Sequence, residues 1–179
     1  MQALIREEPV NPIPDDIEQM FQVHHGLVFR TAYRITGNPA DAEDVLQTVF
    51  LRMLRRDQSA EVLQKPESYF RRAAVNVALD VVRRGRDSRS VPLEEVSADQ
   101  HPTERREPDA GELRQCLRRA LASLNRREAE IFALRFFQDM SNQEIAKLLG
   151  MSQIHVAVIL HRTRARLQKE IRSYVGERA

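Results

Sequence analysis

The side chains best equipped for chemistry in this chain are its arginines, and the chemistry they point to is the binding of phosphate. From Arg71 to Arg89 six arginines stand against Asp80 and Asp87, and from Met151 to Arg172 five cations oppose Glu170 alone. A guanidinium holds phosphate oxygens in a planar fork, so two such islands imply two contacts with a polyanion. In the first, "YFRRAAVNVALDVVRRGRDSR", Arg72, Asn76 and Arg83 share a helical face away from Phe70, Val77 and Val81. Arginines there would bind phosphate, Asn76 could pair with a base edge, and Tyr69 or Phe70 could stack an unpaired base. A solvated, arginine-rich helix end with its aromatics in the core accounts for the same residues.

Catalysis finds no comparable footing. The histidines (His24, His25, His101, His155 and His161) have no metal-ligand spacing, and there is no glycine-rich phosphate loop or nucleophile motif. Cys116 lies in an apolar helical neighbourhood, reads as core, and as a single cysteine suits a reducing cytoplasm. No enzyme activity, cofactor or metal is expected. The longest apolar run, Val156 to Leu160, is far short of the roughly 20 residues a membrane span needs, so no membrane insertion is expected. The start, "MQALIREEPVNPIP", lacks the apolar core of a secretion signal.

The elements that must carry these residues are helical. Glycine is scarce, no stretch alternates like a half-buried strand, and several repeat at helical spacing. Asp15 or Asp16 caps a first helix whose inner side is Ile17, Met20, Phe21, Val28 and Ile35. Asn38 caps a second, with Pro39 in its first turn, Asp41, Glu43 and Asp44 near the positive end of its dipole, and Val45, Leu46, Val49, Phe50, Met53 and Leu54 inward. Pro66 starts a third, with Phe70, Ala73, Val77 and Val81 inward and an end near Gly85. Ser90 to Gly111 has three prolines and no periodicity, and seven acids against two arginines from Ser90 to Glu112; it reads as an extended acidic linker.

Beyond it Leu113, Leu117, Ala120 and Leu124 mark one helix, and Asn125 with Glu128 makes a capping box for the next. Ser141 with Glu144 makes another; Ile145, Ala146, Leu148 and Leu149 face inward and Gly150 ends that helix. Ser152 caps the last, with Val156, Leu160, Thr163, Leu167 and Ile171 on its core side. A short helix, a glycine turn and a longer basic helix form the helix-turn-helix pattern, against the plainer account of a helical hairpin with a charged face. One such unit touches only a short stretch of duplex, so a second DNA contact or a partner protein is called for. The division is a tail over 1–14, a helical unit over 15–88, a linker over 89–111 and a second unit over 112–176.

Taken together these residues resemble a small sigma subunit of bacterial RNA polymerase, of the extracytoplasmic-function group. "TGNPADAEDVLQTVFLRML" is similar to the region two segment that docks on the polymerase clamp, and "YFRRAAVNVALDVVRR" to the segment that melts and reads the minus-ten element. "LASLNRREAEIFALRFFQDMSNQEIAKLLGMS" is similar to region four, which binds the minus-thirty-five element. The resemblance spans roughly Asp15 to Tyr174. It implies an all-α fold of two small helical domains and a factor directing promoter-specific initiation. It assigns Asp41, Asp44, Gln47 and Phe50 to core polymerase binding, and Tyr69, Arg72, Asn76, Asp80, Arg83 and Arg84 to the minus-ten element, with Asn76 holding an extruded base. The partners implied are core RNA polymerase, promoter DNA and an anti-sigma protein, with the chain a monomer when free.

Three departures stand out. Thr48 follows Gln47 where the family often has Glu, and Tyr69 stands where it commonly has Trp. In the last helix the family reads like "SxGTVKSRLHRAR", whereas here it is "SQIHVAVILHRTR". At about 100° per residue the face opposite the core carries Ile154, Val158, His161 and Ala165, flanked by His155 and Arg162. Ser152 opens the helix, Ile154 and Val158 would meet thymine methyls, and His155, His161 and Arg162 would make polar contacts, with Arg164 and Arg166 on phosphates. The alternative is that Ile154 and Val158 face a protein. For the whole chain the other readings are a sigma-like decoy that binds an anti-sigma protein, and a helix-turn-helix regulator.

Overall fold

The computed structural model describes residues 15–55, 65–88 and 110–176. The tail over 1–14 and all but the end of the expected linker lie outside them. The described residues form seven helices: α1 (Asp15–Thr36), α2 (Pro39–Arg55), α3 (Pro66–Ser88), α4 (Ala110–Ser123), α5 (Arg126–Phe136), α6 (Asn142–Leu149) and α7 (Gln153–Gly176).

In the first unit α1 packs on α2 and α3, and α2 on α3. Gly37, at φ 66, reverses the chain between α1 and α2, a conformation open to glycine without a Cβ penalty. Asn38 then caps α2, its side-chain oxygen accepting from the Ala40 N–H at 2.9 Å. Phe70 is fully buried, stacked on His24 at 4.7 Å and on Phe50 at 5.0 Å. Burial lowers the His24 pKa, with the Glu67 charge opposing.

The expected core positions Val28, Ile35, Val45, Val49, Phe50, Met53, Phe70 and Val77 are buried. Phe21, Leu54 and Leu113 are not: each lies at the margin of its stripe and is exposed by 40% or more. Phe21 packs edge-on against Phe50 even so. The third helix continues past Gly85 to Ser88, because one glycine costs a helix only about 1 kcal/mol and does not end it. The fourth begins at Ala110, two residues inside the expected linker.

In the second unit both capping boxes form, Asn125 with Glu128 on α5 and Ser141 with Glu144 on α6. Gly150 ends α6 in the left-handed conformation at φ 62. Ser152 opens α7, its hydroxyl accepting from the His155 N–H at 3.2 Å. Val156, Leu160, Thr163 and Leu167 turn inward as expected. Arg127 donates to the Leu149 carbonyl at 3.1 Å, tying α5 to the end of α6 and so to the turn. Cys116 is buried, and burial pushes its thiol pKa up, with Arg119 opposing, as suits an inert core thiol.

The two units are not held apart. Helix α3 packs against α4 and α5, and one apolar cluster runs through both units.

Candidate polymerase and nucleic-acid interfaces

Helix α7 turns outward the face that its spacing predicts. The cap at Ser152 and the inward turn of Val156 and Leu160 leave Ile154 78% exposed and Val158 40% exposed, on one face with His161. His155 and Arg162 are exposed beside them. An apolar side chain so free of contacts has no packing role in this chain. It is available to a surface outside it.

The two arginines expected on phosphates are engaged internally. Arg166 donates to the Ser123 carbonyl at 2.9 Å and pairs with Glu128 at 3.6 Å and Glu170 at 3.5 Å, clamping α7 to the junction of α4 and α5. Its position on α7 matches the expectation, but its fork is turned to the protein because three acceptors lie within reach. Arg164 lies over the exposed ring of Phe136, 5.8 Å from its centroid.

On α2, Asp44 and Gln47 are exposed and Thr48 is half-buried. Phe50 is buried. Only 7% exposed, it sits between Phe21 and Phe70, where a ring gains more from apolar and aromatic packing than from facing solvent. Its ring supports α2 from beneath.

The most consequential geometry is on α3. Glu130, from α5, is 4% exposed and places Oε1 at 2.8 Å from Arg72 Nε and 3.0 Å from Asn76 Nδ2, both donating to it. Arg127 donates to its other oxygen at 3.3 Å. Burial pushes the Glu130 carboxyl up, but the hydrogen bonds from Arg72 and Asn76 and the charges of Arg72 and Arg127 outweigh it and hold its pKa below the ordinary value. Asp80 pairs with Arg83 at 3.5 Å and with Arg126 of the second unit at 3.8 Å. Arg84 donates to the Asp80 carbonyl at 3.4 Å. Tyr69 is half-buried, edge-on to Phe70.

The same crossing recurs at other points. Asp41 accepts from Arg118 at 3.1 Å. Gln138 accepts from Thr31 at 3.0 Å and from Arg71 at 3.2 Å. Arg34 donates to the Phe137 carbonyl at 2.9 Å. Glu130 and Gln138 each join the two units. Neither draws notice in the sequence, because a lone acid or amide in a helical unit carries no motif; only its exclusion from solvent marks it. The described residues hold no group of three or more His, Cys, Asp or Glu side chains able to bind a metal ion.

A three-helix bundle with an arginine- and asparagine-bearing helix, followed by a capped helix-turn-helix, defines a helical nucleic-acid-binding factor with two contact elements. The chain is matched by the sigma-70 region 2 family over residues 20–88 and by the sigma-70 region 4 family over residues 114–167. It is 32% identical over 159 residues to the RNA polymerase sigma-E factor of Streptomyces coelicolor, covering 87% of this chain and 86% of that protein. It is 31% identical over 166 residues to the ECF RNA polymerase sigma factor SigE of Mycolicibacterium smegmatis, covering 90% of this chain and 64% of that one. Its fold is similar to that of the sigma factor RpoE of Bartonella quintana, solved in complex with the anti-sigma factor NepR, at a TM-score of 0.50 and 22% identity over 88% of this chain and 97% of that one. The chain belongs to the sigma-70 family of RNA polymerase sigma factors, in the extracytoplasmic-function group.

Proposed function

We propose that this sigma factor divides its work among three helices, with α2 docking on core RNA polymerase, α3 opening and reading the minus-ten element, and α7 reading the minus-thirty-five duplex. Such a factor has no catalytic step of its own; phosphoryl transfer belongs to the polymerase. Asp41, Asp44 and Gln47 supply polar contacts on α2, with Phe50 bracing them from the core. On α3, Arg72, Arg83 and Arg84 engage strand phosphates, Tyr69 stacks, and Asn76 holds the pairing edge of an extruded base, an edge that a base hides while it stays in a duplex. Asp80 orients Arg83. The work falls to two units, 15–88 and 112–176, joined by the 89–111 linker, and takes place in the cytoplasm, where polymerase and promoter are.

The observation that carries the α7 assignment is the outward face of Ile154, Val158 and His161, with His155 and Arg162 beside it, at the start of a helix capped for presentation. In a major groove its methyl groups favour thymine, and His155, His161 and Arg162 make the polar contacts. Arg164 is placed to reach the phosphate backbone once it leaves Phe136, while Arg166 keeps α7 in position. An anti-sigma protein is the competing occupant of this apolar face.

Run-off transcription with purified core polymerase tests the reading, with the DNA upstream of this gene and a randomised promoter pool as templates. Specific transcripts, with thymine enriched in the upstream element, are expected. Binding to core polymerase without transcripts from any template would remove the α3 and α7 assignments. A chain that binds neither core polymerase nor DNA, but does bind an anti-sigma protein, would be a decoy.

A further inference from the structure

We infer that the first turn of α5, through Arg127 and Glu128, sets the angle and register at which α7 enters duplex DNA. Two residues outside the recognition helix thus govern how sharply it reads the minus-thirty-five element. The inference rests on the reading of α7 given above and deepens it. Helix α7 is held to its unit by Val156, Leu160 and Leu167, all buried in the apolar cluster. Apolar contact is non-directional, so by itself it lets a helix slide and roll on its neighbours. Contacts to base edges are directional, and a site of that kind has to be held to within about 0.5 Å. Polar contacts must therefore fix α7, and they converge on one short stretch of α5.

At the start of α7 the grip is Arg127. One of its nitrogens donates to the Leu149 carbonyl at 3.1 Å and to Met151 Sδ at 3.7 Å, and another donates to Glu130 at 3.3 Å. Leu149 is the last residue of α6, where the final carbonyls lack helical partners and carry the negative end of the dipole. A guanidinium at that point fixes the turn from which α7 departs, beside the left-handed Gly150. Farther along α7 the grip is Glu128. Its carboxylate closes the capping box with Asn125 and pairs with Arg166 at 3.6 Å, while Arg166 also donates to the Ser123 carbonyl. From Gln153 to Arg166 the helix runs about 20 Å, and Ile154, Val158 and His161 lie between the two grips. Adjacent residues of one turn thus hold α7 on both sides of its reading face. Both side chains are turned to the protein, so neither adds a phosphate contact.

The test uses holoenzyme assembled from core polymerase and the full chain, with two labelled promoter duplexes. One carries the upstream element enriched from the randomised pool; in the other that element is scrambled. The ratio of the two affinities measures discrimination. Arg127→Ala is expected to lower it at least about fivefold, the discrimination carried by one good base contact. Arg127→Lys keeps the charge and a donor and is expected to restore most of the loss. Glu128→Gln keeps the capping box, since glutamine serves at that position, but releases Arg166, and it too is expected to lower the ratio. In all three variants the salt dependence of affinity should match wild type, whereas Arg164→Gln, which removes a phosphate contact, should make its slope shallower by about 0.9. A melting curve establishes that each variant is folded; if Arg127→Ala is not, Glu128→Gln decides alone. Wild-type discrimination in the folded variants, a lowered ratio with a shallower salt slope, or a folded Arg127→Lys no better than Arg127→Ala would each overturn the proposal. Failure of the wild-type holoenzyme to discriminate between the duplexes would instead remove the α7 reading itself.

Discussion

At the scale of single residues, charge and burial set what each site can do. His24 lies in the α1 core against Phe70, and burial favours its neutral form. Its folded pKa lies below the 6.5 of an unperturbed histidine, so the unfolded chain takes up a proton first as pH falls. The neutral imidazole's contribution is therefore whole above 6.5 and is lost as pH drops from there toward the folded value. The melting temperature should fall as pH drops below the 6.5 of an unperturbed histidine, and His24→Leu should flatten that part of the profile. On α7, Val158 offers methyl groups and no donor. Losing contact equivalent to one buried CH₂, about 0.8 kcal/mol, amounts to roughly fourfold in affinity. Val158→Ser should relax a thymine preference by about that factor in a binding selection, with the salt dependence unchanged because no phosphate contact is touched.

Elements add the constraint that caps and turns must agree with the apolar stripes. The DNA-reading unit is built on three such agreements in succession: the box at Asn125 and Glu128, the box at Ser141 and Glu144, and the left-handed Gly150. Each satisfies backbone groups that a helix end would otherwise leave open. Ser141 both accepts from the Glu144 N–H and holds its carboxylate, whose pKa is lowered by the Ser141 side-chain and backbone hydrogen bonds. Ser141→Ala should destabilise the second unit by about 1 kcal/mol in chemical denaturation. Its effect on run-off transcription should be larger at higher temperature, where the short α6 frays first.

For the molecule as a whole, the two units meet through a continuous apolar cluster and through ion pairs at Glu130 and Asp41. The principal ion pair has a defined pH response. The Glu130 pKa lies below the ordinary 4.5, so its stabilisation is present above that value and is lost as pH falls through the folded pKa. The groups facing it are Arg72, Asn76 and Arg127. Scattering should thus show a closed chain from neutral pH down to about 5, and opening only in acid below the glutamate range. High salt should loosen the wild-type interface more than that of Arg118→Ala, since the partly exposed pair at Asp41 is the one that salt screens and the variant already lacks it.

Most of the helices, their caps and the outward face of α7 were legible in the sequence, because each depends on residues within a few positions of one another. The Asn125, Ser141 and Ser152 caps, the Gly150 turn and the inward stripe of α7 all follow from spacing alone. Stripe margins were less legible: Phe21, Leu54 and Leu113 have the right periodicity, yet their exposure depends on how wide a face the neighbouring helix covers. Phe50 and Arg166 stand on the expected helices, but Phe70 in one case and Ser123 and Glu128 in the other are distant in sequence. By itself the sequence determined an all-helical chain with two basic helices suited to nucleic acid, since helix formation and charge segregation are local properties. Only the tertiary structure decided that Glu130 meets Arg72 and Asn76, and Arg118 meets Asp41. Pairs separated by 50 residues or more leave no periodicity, and a buried charge shows itself only once the donors from both units surround it.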